Sequence, residues 1–250
     1  MSNETSLWQG GEIAKLFQCE GFDVDLAGVS IDSRSVVPGD LFIALSGDPG
    51  PRFGGGEPGA RDGHDFIDMA IRNGATAVMS HREVTCSVPV IPVADTLDGL
   101  WQLGKAARQR CQGSIVAITG SSGKTTIRGW LEKLLNTIAE THASEGSFNN
   151  HWGVPLSLAR MPRTTQFGVF EVGTNHPGEI APLANLVAPD VSLLLNVLPA
   201  HIGNFADLAA LRQEKLAIAS GNSTLILPVS LKSETDWPRT ITFGNNSESD

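Results

Sequence analysis

The feature that most constrains this chain is a strand–loop–helix unit near its middle. Ile115-Val-Ala-Ile-Thr119 is a continuous apolar run of strand length, and Thr119-Gly-Ser-Ser-Gly-Lys-Thr-Thr126 follows it. Over 124–139, Ile127, Trp130, Leu131, Leu134, Leu135 and Ile138 recur at i, i+3, i+4 and i+7 spacing. That spacing predicts a helix with one apolar stripe. A glycine-rich turn between a buried strand and a helix start can hold a phosphate. Glycines let successive N–H groups point at one spot, the helix N-terminus adds partial positive charge, and Lys124 adds a full one. Gly120, Ser121, Ser122, Gly123, Lys124, Thr125 and Thr126 are therefore the candidate nucleotide contacts, with the Thr125 hydroxyl placed to ligate Mg²⁺. The spacing departs from G-x-x-x-x-G-K-[ST], because Ile118 stands where that pattern has its first glycine. An ordinary βα turn rich in Gly and Ser has no reason to place Lys-Thr-Thr at the helix start. The loop says nucleotide and leaves the reaction open.

Similar strands surround it. Phe167-Gly-Val-Phe-Glu-Val172, Val191-Ser-Leu-Leu-Leu-Asn-Val197 and Ser223-Thr-Leu-Ile-Leu227 are near-continuous apolar runs separated by helical segments, the pattern of a mostly parallel sheet buried on both faces. The first hundred residues read as a smaller α/β domain, with strands at 40–46 and 76–80 and a helix at 65–73. Leu97, Leu100, Leu103 and Ala107 give 96–111 helical spacing, which Gln112-Gly113 breaks. The expected domains are thus 1–112 and 113–250. Segment 47–63 is too poor in apolar side chains to offset its ordering entropy and reads as a mobile surface loop.

Charge and cysteine content exclude several classes. The formal net charge of -9 is spread without a basic block, so nothing draws the chain to nucleic acid or an anionic membrane. Cys19, Cys86 and Cys111 have no metal-like spacing and read as core filler in a reducing compartment. No segment approaches the ~20 apolar residues of a membrane span. The expectation is a soluble, cytoplasmic, monomeric protein.

The shortened loop Thr-Gly-x-x-Gly-Lys-Thr-Thr resembles that of the Mur ligase family and its relative folylpolyglutamate synthase rather than that of kinases or GTPases. Ser147-Phe-Asn-Asn-His-Trp-Gly-Val-Pro155, Glu171-Val-Gly-Thr-Asn-His-Pro-Gly-Glu-Ile180 and 196–201 are similar, in order and spacing, to the central domain of that family. Ile31-Asp-Ser-Arg34, Pro38-Gly-Asp-Leu-Phe-Ile-Ala-Leu45 and Asp62-Gly-His-Asp-Phe66 resemble its N-terminal, UDP-substrate domain. The likeness runs from about residue 7 to 244.

The resemblance implies an ATP- and Mg²⁺-dependent amide ligase of cell-wall precursors. The carboxylate of a UDP-MurNAc-peptide attacks the γ-phosphate, and the amine of D-alanyl-D-alanine then displaces phosphate. Glu171, at a strand end, is placed as a magnesium ligand; the bland alternative is an acid hydrogen-bonded to a turn. His201 follows the next strand and is expected near the second metal, and Asn196 near the nucleotide. Asn149, Asn150 and His176, with Ser33 and Arg34 of the first domain, match substrate-side positions; for the two asparagines a plain turn is the alternative. Lys215 falls on the apolar stripe of a helix over 206–219 with Leu208, Leu211 and Ile218, where an isolated ammonium is costly. Its family counterpart is carbamylated and ligates metal, whereas snorkelling is the plain alternative. Ala217 stands where many relatives carry an acid. The family has a third domain that this chain is too short to contain. Two expectations follow: the leading portion of a ligase, or a module that binds nucleotide or UDP-sugar without turnover.

Overall fold

The structure is a computed structural model that describes residues 6–47, 61–199 and 202–244. Residues 48–60, most of the segment 47–63 expected to be a mobile loop, and His201 lie outside them, so neither that expectation nor the His201 assignment meets a structural observation. The chain forms two compact units, Met1–Ala106 and Ala107–Asp250. This division falls inside a helix rather than at the Gln112-Gly113 break.

The first unit is a four-stranded parallel sheet in sequential order: β1 (Gly28–Ser30), β2 (Asp40–Ile43), β3 (Ala77–Ser80) and β4 (Val90–Pro92). Both β2 and β3 are buried along their whole length, as expected of inner strands. Helix α1 (Gly10–Phe17) precedes the sheet, and the expected 65–73 helix is a 3-10 turn, Gly63–Phe66, running into α2 (Ile67–Arg72). The Asp62 side chain accepts the His64 N–H and so caps that turn. Val36, Phe42, Ala44, Ile67, Ala70 and Val78 form a core cluster. Helix α3 (Thr96–Arg110) follows β4.

The second unit is a six-stranded, all-parallel sheet. Its strands are β5 (Ser114–Thr119), β6 (Thr141–Ala143), β7 (Phe167–Glu171), β8 (Val191–Leu194), β9 (Thr224–Pro228) and β10 (Thr240–Phe243), in the order β10-β9-β8-β5-β7-β6. Helices α4 (Lys124–Leu135), α5 (Gly153–Ala159), α6 (Ile180–Val187) and α7 (Leu208–Leu216) connect them. On α4, Ile127, Leu131 and Leu135 pack on Ile118, Ala143 and Val169. The expected single stripe is split, because Trp130, Leu134 and Ile138 are 60%, 63% and 72% exposed. The buried row is Ile127, Leu131 and Leu135, whereas Trp130, Leu134 and Ile138 form the adjacent i, i+4, i+8 row, which lies beyond the edge of that packing. The three cysteines carry no disulfide, and Cys111 is buried. No helix among the described residues is long and apolar enough to cross a membrane.

Register places the site. Thr119 pairs laterally with Leu194, and Ile118 with Glu171, so β8, β5 and β7 end side by side. Three loops leave those adjacent carboxyl ends, where open α/β sheets gather their ligands.

Candidate active site

The first of these loops is 119–124. Gly123 adopts φ +82 at the N-cap position of α4, a conformation that L side chains resist, and so turns the backbone into the helix. Ser121, Ser122 and Lys124 find partners within the site, whereas the buried Thr119 hydroxyl has none among the described residues. Ser121 and Ser122 donate N–H bonds to the Asn196 Oδ1 at 3.0 and 3.1 Å, and Lys124 Nζ donates to the Gly120 carbonyl at 2.8 Å. Ser121 Oγ also reaches the Leu198 carbonyl at 2.9 Å. Asn196, expected at the nucleotide, therefore shapes the loop that would hold it. Burial lowers the Lys124 pKa, and the Glu171 charge opposes that.

Glu171 is fully buried. Its carboxylate accepts the Thr125 hydroxyl at 3.3 Å and lies 3.3 Å from Arg128 Nε, while Arg128 also reaches Glu132 at 2.8 Å. The acid is thus tied to the phosphate loop and to α4, and Arg128 is a partner that the sequence did not single out. Sequence offered a signal only in retrospect: Arg128 lies one helical turn after Lys124.

The second loop, 172–179, follows β7. At Gly173 a Cβ would stand 2.7 Å from Asn149 Oδ1, so glycine is what lets this loop approach the 147–152 segment. Asn149 accepts the Gly173 N–H through its carbonyl at 2.7 Å. The Asn150 Oδ1 accepts the Trp152 and Gly153 N–H groups at 3.2 and 2.9 Å and caps the start of α5. Asn150 thus serves a turn, and both asparagines also line the cleft. Burial pushes the Glu179 carboxyl up, but N–H bonds from Asn175 and His176 outweigh this and hold it below its ordinary value. His176 is exposed, 3.3 Å from Glu179 through Nδ1, and is not among the cleft-lining residues.

One cleft gathers these loops. It is lined by Gly120, Ser121, Lys124, Asn149, Asn150, Gly173, Thr174, Asn175, Glu179 and Lys215. Lys215 is 4% exposed, and its ammonium has no hydrogen bond or ion pair among the described residues. Burial, with Lys124 as a nearby like charge, pushes its pKa down to about 8, and Glu214 opposes this. At that exposure the side chain does not snorkel out to the surface. Ser33 and Arg34 belong to the first unit. Ser33 is buried with its hydroxyl 3.3 Å from Met69 Sδ, and Arg34 is an exposed side chain bonded to Asp32 at 2.6 Å.

Among the described residues no cluster of three or more His, Cys, Asp or Glu could hold a metal by itself. Thr125 and Glu171 supply one hydroxyl and one carboxylate, the oxygen donors Mg²⁺ takes when phosphates complete its shell.

Comparison with known proteins decides the family. The Mur ligase middle domain matches residues 118–250, more than half of the chain. The chain belongs to the Mur ligase family. A UDP-N-acetylmuramoyl-tripeptide--D-alanyl-D-alanine ligase of Escherichia coli K12 is 34% identical over 220 residues, covering 88% of this chain and 46% of the relative. The Bacillus subtilis protein of the same name is 36% identical over 197 residues, 78% of this chain and 41% of its own length. This Mur ligase chain thus spans about half the length of the curated relatives it matches. Its fold matches the crystal structure of MurF from Acinetobacter baumannii with TM-score 0.79 at 28% identity, over 95% of this chain and 53% of that one. MurF from Thermotoga maritima, solved in complex with ADP, matches with TM-score 0.71 at 31% identity, over 87% and 50%.

Proposed function

We propose that this chain acts in ATP-dependent amide-bond formation on a UDP-MurNAc-peptide, with D-alanyl-D-alanine as the amine. The observation that carries the reading is the convergence of the phosphate loop, the loop after β7 and Lys215 on one cleft. The relatives' name supplies the substrates, and the ADP complex of one of them supports nucleotide at this loop. Residues 113–250 are the ATP-binding domain in this proposal. Residues 1–112 hold the UDP end of the substrate, with Ser33 and Arg34 on its path. The working compartment is the cytoplasm, and the working form a monomer.

Lys124 neutralises and orients the phosphates, and the loop N–H groups exchange Asn196 for phosphate oxygens. Thr125 and Glu171 would hold the Mg²⁺ that arrives with ATP, and its charge would offset that of the group in transfer. The substrate carboxylate then attacks the γ-phosphorus, ADP leaves, and an acyl phosphate forms. Attack by the dipeptide amine expels phosphate and forms the amide, with loss of a proton. In the ammonium form Lys215 repels a cation. Its neutral amine can add to CO₂, forming an N–C bond and releasing a proton, which gives a carbamate able to ligate metal. With a pKa of about 8, roughly a tenth of Lys215 is neutral at pH 7.

Calorimetric titration with Mg-ATP tests the phosphate loop. Lys124→Ala should lose on the order of 1.5 to 3 kcal/mol of binding, the worth of a charge-assisted contact. Equal affinity in the two proteins would remove the assignment.

A further inference from the structure

We infer that Glu214 is a positioning residue that ties the loop after β7 to the helix carrying Lys215, so that these two parts of the cleft hold one mutual geometry. The inference rests on the functional reading above only for the importance of Lys215. The contacts are specific. Glu214 Oε2 accepts the Gly178 N–H at 2.7 Å and Oε1 accepts the Ile180 N–H at 2.8 Å. Ile180 opens α6, where helix N–H groups lack partners of their own, and Gly178 lies just before the N-cap residue.

The residue expected to supply a cap there does not. Glu179 occupies the N-cap position of α6 without a side-chain cap bond. Its carboxylate turns back instead on the Asn175 N–H at 2.6 Å, the His176 N–H at 3.1 Å and the Thr174 hydroxyl at 3.2 Å. Two carboxylates therefore divide the loop. Glu179 holds residues 174–176 from within, and Glu214 holds 178 and 180 from α7.

Glu214 and Lys215 are consecutive on α7, so their side chains diverge by about 100°. One engages α6, and the other lines the cleft beside Thr174, Asn175 and Glu179. A carboxylate bonded to two backbone donors fixes its own helix as firmly as it fixes the loop. Glu214 is the carboxylate that α7 turns toward the end of this loop.

The test uses the full 250-residue chain, Glu214→Ala and Glu214→Gln. Amide hydrogen exchange is read by NMR, and lysine acetylation rates are read by mass spectrometry. In Glu214→Ala the Gly178 and Ile180 amides should exchange at least tenfold faster, and Lys215 should label several-fold faster while Lys124 keeps its wild-type rate. Glu214→Gln keeps one acceptor oxygen and should fall between, and it carries the same comparison if the alanine variant does not fold. General destabilisation would accelerate Lys124 and Lys215 together, and that result overturns the inference. So does wild-type exchange at Gly178 and Ile180. Failure of wild-type protein to bind Mg-ATP would sink the functional reading and leave the exchange result standing.

Discussion

Replacing Lys215 with methionine should stabilise the second unit at neutral pH. The lysine is 4% exposed and its pKa falls from 10.5 to about 8, first through burial and then through Lys124. Every tenfold loss of proton affinity is worth ~1.4 kcal/mol, which bounds the penalty near 3 kcal/mol, and screening of an ammonium that faces a solvent-lined cleft brings it to ~2 kcal/mol. The sign follows from proton binding. Between pH 8 and 10.5 the unfolded chain keeps a proton on this lysine that the folded chain has released, so wild-type stability rises with pH through that window. The methionine advantage is complete below pH 8 and fades toward 10.5. Thermal unfolding from about pH 7 to 10 in CO₂-depleted buffer should show a gain of ~4 to 8 °C at pH 7, at ~2 to 4 °C per kcal/mol for a chain of this size. Bicarbonate should narrow the gap by stabilising only the wild type. A difference independent of pH, or a methionine variant less stable at neutral pH, would refute the reasoning.

Three other outcomes are expected. Glu171→Gln should abolish the Mg²⁺ dependence of nucleotide affinity and cost ~1 to 3 kcal/mol of stability by weakening the buried pair with Arg128, as read by calorimetry with and without EDTA and by urea titration. Gly173→Ala forces a Cβ to within 2.7 Å of Asn149 Oδ1 and should cost ~1 to 3 kcal/mol, with weaker Mg-ATP binding as Asn149 shifts. Trp130→Ser, at a site 60% exposed, should change stability by no more than ~0.5 kcal/mol in a denaturant titration; a larger loss would mean that this side chain is packed.

Part of this molecule is legible in the sequence because the relevant physics is local. A continuous apolar run followed by Gly-Ser-Ser-Gly-Lys-Thr-Thr specifies β5, its turn and the start of α4 within a short stretch of chain. Lys215 stands out for a similar reason, as a charge on an apolar stripe, and it is buried at the cleft. What escapes depends on pairing between distant segments. Strand β6 has three residues and is a strand because it pairs with β7, not because Thr-His-Ala favours extension. The Glu214 contacts span 34 to 36 residues, and Arg128 meets Glu171 across 43, separations that no local pattern encodes. The stripe on α4 is only partly buried because spacing reports which side chains share a face and is silent on where a neighbouring layer stops.

The internal matching of the phosphate loop has a thermodynamic consequence. Asn196 Oδ1 already takes the Ser121 and Ser122 amides, and the Gly120 carbonyl already takes Lys124. An arriving phosphate must displace these bonds while it gains the N–H groups at the start of α4 that have no helical partner, so part of its hydrogen-bond gain is offset. Charge then carries a larger share of the affinity, and Lys124 supplies it at the loop in a chain of net charge -9. Nucleotide capture by this loop should accordingly be ion-sensitive, weakening as added salt screens the attraction. Exchanging Asn196 for a residue without an acceptor should tighten binding, at the cost of a loop that no longer holds its shape when empty.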